Sequence, residues 1–229
     1  MCLAIYKPAG AKVPKDRLRN AFNRNPHGAG FAIAKEGKVA IRKGFFSFDK
    51  FWKAYKKVPA SQAMLIHFRW ATHGEHTKEN CHPFRLNAST AMIHNGVIKR
   101  VLVKDKGSDT SNFVKRILAP IVNQHPNFIH TTHGQKVLSL AIGESKVAVM
   151  NHTGKAVIIN EHKGHWDMDC WYCNESYMPR PTAKFTGFTS KPKAHSSEIL
   201  GGYVDPHASN RGRGRSWIDD LEEATMGKR

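Results

Sequence analysis

Short apolar segments separated by Gly and Asn recur along most of the 229-residue sequence, and they constrain the fold more than any other feature. The segments CLAIY at 2–6, AMLIHF at 63–68 and ASTAMIHNG at 88–96 are each predicted to be strands. Within 31–44, two apolar runs flank Glu36-Gly37, which is typical of a hairpin turn. These segments predict antiparallel pairing.

The remaining segments add further strands and at least two helices. Residues 137–143, 146–150 and 155–159 are predicted to be a run of antiparallel strands. Residues 48–57 have aromatic side chains at helical spacing, and Ser108 is predicted to cap a second helix. The second helix is predicted to place four apolar side chains on one face: Phe113, Ile117, Leu118 and Ile121. Antiparallel strands with two or three helices make an α+β domain.

Composition limits the classes of function. The formal net charge is +18, and the excess is spread along the chain, so non-specific attraction to nucleic acid is expected, although no base-reading motif is visible. No apolar run reaches the roughly 18 residues of a membrane-spanning helix. The N-terminus lacks the pattern of a secretory signal, which predicts a cytoplasmic protein. The four cysteines are then expected to be free thiols or metal ligands.

The amino-acid composition changes near residue 178. Pro, Ser and Gly become frequent, and RGRGR occupies 211–215. We therefore predict one domain over 2–178, followed by a basic and mostly disordered tail over 179–229.

Cys2 is a candidate nucleophile. Aminopeptidases remove Met1 when the second residue is small, which would leave a thiol and a free α-amine on one residue. An α-amine has a pKa of ~7.7–8.0 and can act as a base at neutral pH. The alternative is that Cys2 is a small packed residue without a chemical role.

Three further segments carry polar groups suited to a cleft. Arg69 follows a predicted strand and could pair with a carboxylate through two hydrogen bonds. Asn95-Gly96 offers a carboxamide and a backbone N–H, as an oxyanion hole requires, or forms a plain hairpin turn. Asp109 could bind a substrate ammonium, or could cap a helix.

The motifs occur in a recognisable order: Cys2, HFRWATHG at 67–74, CHPF at 81–84, HNGVI at 94–98 and SDT at 108–110. Together they resemble the class II glutamine amidotransferase domain, which belongs to the N-terminal-nucleophile (Ntn) hydrolases. The resemblance covers about 2–178. It implies a four-layer αββα sandwich of antiparallel sheets and an enzyme that needs no cofactor.

The resemblance also implies roles by position. Cys2 matches the nucleophile and, through its α-amine, the base, while Asn95 and Gly96 match the oxyanion hole. Arg69 and Asp109 match the residues that hold the α-carboxylate and the α-ammonium of glutamine. Three residues match positions that shape the pocket: Trp70, Thr72 and His73. Gly28, within a segment that departs from the family's synthases, is expected near the substrate.

The implied reaction releases ammonia and glutamate through a γ-glutamyl thioester on Cys2. The family's synthases use the ammonia in a fused acceptor domain, so here a separate acceptor protein is expected, or hydrolysis for its own sake. Another γ-glutamyl amide could replace glutamine. A further alternative is a protein that keeps the fold without catalysis and binds nucleic acid or an acidic partner.

One set of metal-ligand types lies near the end of the domain. His162, His165, Cys170 and Cys173 have zinc-compatible side chains. DCWYCN also has the pattern of a strand, which would direct Cys170 and Cys173 to opposite faces. No metal is expected on this second interpretation.

Overall fold

The computed structural model describes residues 2–71, 75–99 and 107–179. Its strands are β1 (Leu3–Lys7), β2 (Ala29–Lys35), β3 (Lys38–Phe45), β4 (Met64–Phe68), β5 (Phe84–Asn87), β6 (Thr90–Asn95), β7 (Lys146–Asn151), β8 (Ala156–Ile159), β9 (His165–Asp167) and β10 (Cys170–Tyr172). Its α-helices are α1 (Lys15–Arg24), α2 (Phe48–Tyr55), α3 (Asp109–Phe113), α4 (Ala119–Gln124) and α5 (Thr132–Ile142).

The strands form two antiparallel sheets. The larger has the order β3-β2-β4-β1-β10-β9, and the smaller has the order β5-β6-β7-β8. The β2–β3 hairpin turns at Glu36-Gly37 as predicted, with Gly37 at a φ of +68°. Two antiparallel sheets with a few helices confirm the α+β class.

The apolar side chains divide into two clusters. Ala91 and Ile93 of β6 belong to the cluster that contains the larger sheet, α1 and α2. Met92 of β6 belongs to the cluster that contains residues of α3, α4 and α5. Alternate residues of one strand therefore pack in different clusters, as the two-residue period of a strand requires. The four-layer order of the sandwich stays a prediction.

The prediction of a strand over 137–143 is wrong, because this segment belongs to helix α5. The side chain of Thr131 accepts a hydrogen bond from the backbone N–H of Gly134 and caps the helix. Leu138 and Ile142, four residues apart, are buried, whereas Leu140 is 73% exposed. Alternation along a strand would have put Leu138, Leu140 and Ile142 on one face.

The second predicted helix begins at the expected place and then changes its period. Ser108 caps α3 by accepting a hydrogen bond from the N–H of Ser111 at 3.1 Å. A π-helical segment over Val114–Leu118 follows and shifts the inward face. As a result Val114 is buried, and Ile117 is 38% exposed instead of facing the core. Helix α1 was not predicted, although Leu18, Ala21 and Phe22 are buried at helical spacing.

No helix among the described residues is both long enough and apolar enough to cross a membrane. The predicted tail over 179–229 lies, apart from Pro179, outside the described residues.

Candidate active site

Cys2 lies directly before β1, at the centre of the larger sheet. Leu3 pairs with Phe68 of β4, so Cys2 meets the residues that follow β4. Its Sγ lies 3.2 Å from the N–H of Trp70, which donates to it, and 3.3 Å from the carbonyl oxygen of Trp70. Burial raises the pKa of the Cys2 thiol, and the hydrogen bond with the Trp70 backbone acts in the opposite direction.

An open cleft of about 120 Å³ lies in front of Cys2. It is lined by Cys2, Arg69, Trp70, Ala71, His82, His94, Asn95, Gly96, Val97, Ser108, Asp109 and Thr110. Six of the predicted site residues are in this set, and they come from the start of β1, the ends of β4 and β6, and the start of α3. The fold therefore brings together residues that are up to 107 positions apart in the sequence.

The carboxamide of Asn95 is oriented towards Cys2. Asn95 is buried at the end of β6, and its Nδ2 donates a hydrogen bond to the carbonyl oxygen of Cys2 at 2.7 Å. Lys146 Nζ lies 3.5 Å from Asn95 Oδ1 on the other side of the amide group. A carboxamide nitrogen carries two hydrogens, so one remains for a ligand in the cleft.

Two features of position 96 favour glycine over other residues. Its φ is +135°, a conformation that other L-residues rarely adopt. A Cβ added at this position would also collide with Ser145, whose Cβ would lie 2.7 Å away and whose Cα would lie 2.9 Å away. The glycine therefore lets the chain turn sharply beside the carboxamide of Asn95.

Asp109 is not the cap of its helix, because Ser108 has that role. The Oδ2 of Asp109 accepts a hydrogen bond from the N–H of Ile98 at 2.7 Å. This contact joins the start of α3 to the segment that follows Gly96. A carboxylate is thus held in the lining of the cleft, which also contains Arg69.

Arg69 is buried, and hydrogen bonds hold both its main chain and its side chain. Its backbone N–H donates to the carbonyl oxygen of Gly28 at 2.8 Å, and its Nη1 donates to the carbonyl oxygen of Glu75 at 3.0 Å. Burial lowers the pKa of the guanidinium, and the nearby Cys81, Cys2 and Asp109 oppose that shift. An arginine with this environment keeps its charge, because its ordinary pKa exceeds 12.

Gly28 does not line the cleft, although it supports Arg69 through its carbonyl. Its φ is +123°, and a Cβ there would collide with the Sγ of Cys81. Trp70 is 43% exposed, and its ring stacks on His27 at a centroid distance of 4.7 Å. The predictions for Thr72 and His73 concern positions outside the described residues.

Three buried histidines were not predicted as a group: His82 and His94 line the cleft, and His67 lies outside its lining. The ring centroids of His67 and His82 are 4.0 Å apart, and His94 Nδ1 lies 2.7 Å from the hydroxyl of Thr110. Burial lowers the pKa of His67 to about 3 and that of His94 to about 4, and it lowers the pKa of His82 as well. The imidazoles are therefore neutral at physiological pH. Each of them belongs to a motif already noted: HFRW, CHPF or HNG.

The zinc-compatible residues near the end of the domain do not form a cluster. The Nε2 of His165 lies 2.9 Å from the hydroxyl of Tyr177, and Cys173 Sγ accepts a hydrogen bond from the N–H of Ala4 at 3.1 Å. Within the described part of the chain, no group of three or more His, Cys, Asp or Glu side chains could hold a metal ion. All four cysteines are free.

No family model matches the chain. The chain is 39% identical to the glutamine–fructose-6-phosphate aminotransferase of Chlamydia trachomatis over 72 residues. The matched segment covers 31% of this chain and 12% of the relative. The chain is 29% identical to the enzyme of the same name from Bacillus licheniformis over 141 residues, 57% of this chain and 23% of the relative. It is 34% identical to that of Corynebacterium glutamicum over 123 residues, 48% of this chain and 20% of the relative.

Among solved structures, the chain is similar to the glutamine phosphoribosylpyrophosphate amidotransferase of B. subtilis complexed with ADP and GMP. The TM-score is 0.45 and the identity 16%, over 75% of this chain and 41% of that chain. The sequence relatives confirm the resemblance to class II glutamine amidotransferase domains that Cys2 and the four motifs indicate. These relatives are enzymes, and the chain spans less than a quarter of their length.

Proposed function

We propose that this protein hydrolyses the side-chain amide of glutamine, with Cys2 as the nucleophile once Met1 has been removed. The observation that carries the proposal is the convergence of the Cys2 thiol, the Arg69 guanidinium, the Asn95 carboxamide and the Asp109 carboxylate on one cleft. These four groups provide a nucleophile, an anion partner, an oxyanion donor and a cation partner. A free amino acid with a side-chain amide needs all four.

The cleft offers complementary charges for the amino-acid head group. Arg69 would bind the α-carboxylate of glutamine, and Asp109 would bind the α-ammonium. Trp70 forms part of the wall beside the thiol and shapes the pocket, with Thr72 and His73 proposed as its neighbours. Gly28 supports Arg69 from outside the cleft.

The reaction then proceeds in two halves. The α-amine of Cys2 accepts the thiol proton, and the sulfur attacks the amide carbon. The second hydrogen of Asn95 Nδ2 and the N–H of Gly96 stabilise the oxyanion. The protonated α-amine gives its proton to the leaving nitrogen, so ammonia departs and a γ-glutamyl thioester remains. Water adds to the thioester, and glutamate leaves as the thiol is restored.

We further propose that residues 2–178 form the catalytic domain, that no metal or cofactor takes part, and that the protein acts in the cytoplasm. The ammonia either passes to a separate acceptor protein or is released. A different γ-glutamyl amide is the alternative substrate, since Arg69 and Asp109 select the head group and not the group beyond the γ-carbonyl.

Intact mass before and after treatment with a glutamine-analogue diazoketone tests the proposal. We expect Met1 to be absent and one adduct to form on Cys2, with glutamine in excess preventing it. Cys2→Ala should lose the adduct, and Cys81→Ser should keep it, because Cys81 lies outside the cleft lining. If Met1 is absent and no adduct forms, glutamine is not the substrate. A panel of γ-glutamyl amides is then tested. Release of glutamate and amine in equal amounts from one of them would identify the alternative substrate, and release from none would indicate that the protein is not catalytic.

A further inference from the structure

The main chain of Cys2 is held by side chains and not by the sheet. Strand β1 begins at Leu3, and its pairing with β10 runs through Ile5 and Tyr6. The carbonyl oxygen of Cys2 accepts two carboxamide hydrogen bonds, from Asn95 Nδ2 at 2.7 Å and from Asn174 Nδ2 at 2.8 Å. Two short contacts, one from the end of β6 and one from the segment after β10, therefore converge on one atom of the candidate nucleophile.

Asn174 reaches this position because β10 leaves the ladder just before it. The N–H of Cys173 donates to the carbonyl oxygen of Ala4 at 3.0 Å, but the N–H of Ala4 donates to Cys173 Sγ at 3.1 Å instead of to a strand carbonyl. The chain then turns. Asn174 Oδ1 accepts the N–H of Ser176 at 3.0 Å, which fixes the amide so that its Nδ2 faces Cys2.

We propose that Asn174 is a positioning residue for the nucleophile, acting with Asn95 to hold the carbonyl oxygen of Cys2. The proposal rests on the proposed function of Cys2. Once Met1 is removed, no preceding peptide bond restrains Cys2, and rotation of its backbone would move the thiol and the α-amine together. The two carboxamides fix the Cys2–Leu3 peptide plane and so the direction in which the Cα of Cys2, with its thiol and α-amine, projects.

Three variants separate this role from a role in the turn. Asn174→Asp keeps an acceptor for the Ser176 N–H but has no N–H to donate to Cys2. Both variants also lose the 3.3 Å contact of Asn174 Nδ2 with Cys173 Sγ, and Asn174→Ala loses the acceptor for the Ser176 N–H as well. Asn151→Ala is the matched control, because Asn151 Oδ1 accepts the N–H of Thr153 at 3.0 Å in a similar turn. Asn151 pairs with Thr90, at the opposite end of β6 from Asn95.

We expect kcat for glutamine to fall about 100-fold in both Asn174 variants, as a displacement of about 1 Å at a reacting group does. KM should change far less, since Arg69 and Asp109 are untouched. Asn151→Ala should keep the wild-type kcat, and the urea midpoint of Asn174→Asp should match that of the wild type. Wild-type kcat in both Asn174 variants would overturn the proposal, as would a loss of kcat that merely follows a loss of folded protein.

Alkylation of Cys2 by iodoacetamide provides a readout that does not require glutamine turnover. When the Cys2 backbone is released, its thiol should become more exposed, and the thiol pKa, which burial raises, should fall. Alkylation should therefore accelerate severalfold in both Asn174 variants. Diazoketone labelling should slow in the same proteins. If the wild type neither turns over glutamine nor reacts with the diazoketone, the proposed function fails. Equal alkylation rates in wild type and Asn174→Asp would then refute the positioning role independently.

Discussion

Replacing Gly96 with alanine should destabilise the domain more than a comparable change at any open glycine. Two costs arise. The φ of +135° is unfavourable for an L-residue, at about 1–3 kcal/mol. The new Cβ would also collide with the side chain and backbone of Ser145, and overpacking of this kind costs about 1–3 kcal/mol. The free energy of unfolding should therefore fall by about 2–6 kcal/mol.

Gly10 offers the matched control, because its φ is +85° and nothing lies within 4 Å of a Cβ built there. Gly10→Ala should carry the backbone cost alone, about 1–2 kcal/mol. Urea denaturation gives both values from the shift of the midpoint at constant slope. Adding Ser145→Gly to Gly96→Ala should recover part of the difference, though not all, since the Cα of Ser145 also lies too close.

The reasoning would be refuted if Gly96→Ala lost no more stability than Gly10→Ala. It would also be refuted if Ser145→Gly brought no recovery, because the clash would then not be the cause. Turnover by the folded fraction of Gly96→Ala should drop as well, since the N–H that we propose as an oxyanion donor would be displaced.

Three further predictions follow from the site and the helices. Asn95→Ala should lower kcat for glutamine by a hundredfold or more, about 3 kcal/mol of barrier, and a near-wild-type kcat would exclude the oxyanion role. His67 and His94 have lowered pKa values of about 3 and about 4, so the unfolded chain binds protons below pH ~6.5 that the folded chain does not. The contribution of these histidines to the free energy of unfolding should be fully present above that pH and should fall as the pH drops towards 4. The loss should reach up to about 1.4 kcal/mol per pH unit for each histidine. A urea midpoint unchanged between pH 7 and pH 5 would contradict this. Leu140→Lys should change the free energy of unfolding by less than about 0.5 kcal/mol, whereas Leu138→Lys should prevent folding; equal effects in circular-dichroism melts would contradict the orientation of α5.

Most strands could be predicted because their apolar runs are bounded by Gly or Asn. The segment 137–143 could not, because a short apolar run has no decisive period, and its outcome depended on a cap at Thr131. Helix α1 did carry a signal, the spacing of Leu18, Ala21 and Phe22, but its many charges concealed it. The π-helical segment over Val114–Leu118 has no sequence mark that we recognise.

The cleft contains Arg69 and Asn95, which the sequence motifs singled out, and their roles there stay predictions. His82 and His94 stood inside those motifs without an assigned role. Asn174 could not be found from the sequence, because its partner is a backbone oxygen 172 residues away and its position depends on how β10 ends.

The pairing of β1 with β10 has a consequence for biosynthesis. A ribosome makes the N-terminus first, and at ~5–20 residues per second, on the order of ten seconds or more separates residue 2 from residue 174. During that interval the start of the chain has no β10 to pair with and no Asn174 to hold it. If Met1 is removed as proposed, the aminopeptidase has its opportunity then, before the surroundings of Cys2 close. We expect ribosome-bound chains halted before residue 170 to have lost Met1 already, which mass analysis of the released peptide would reveal.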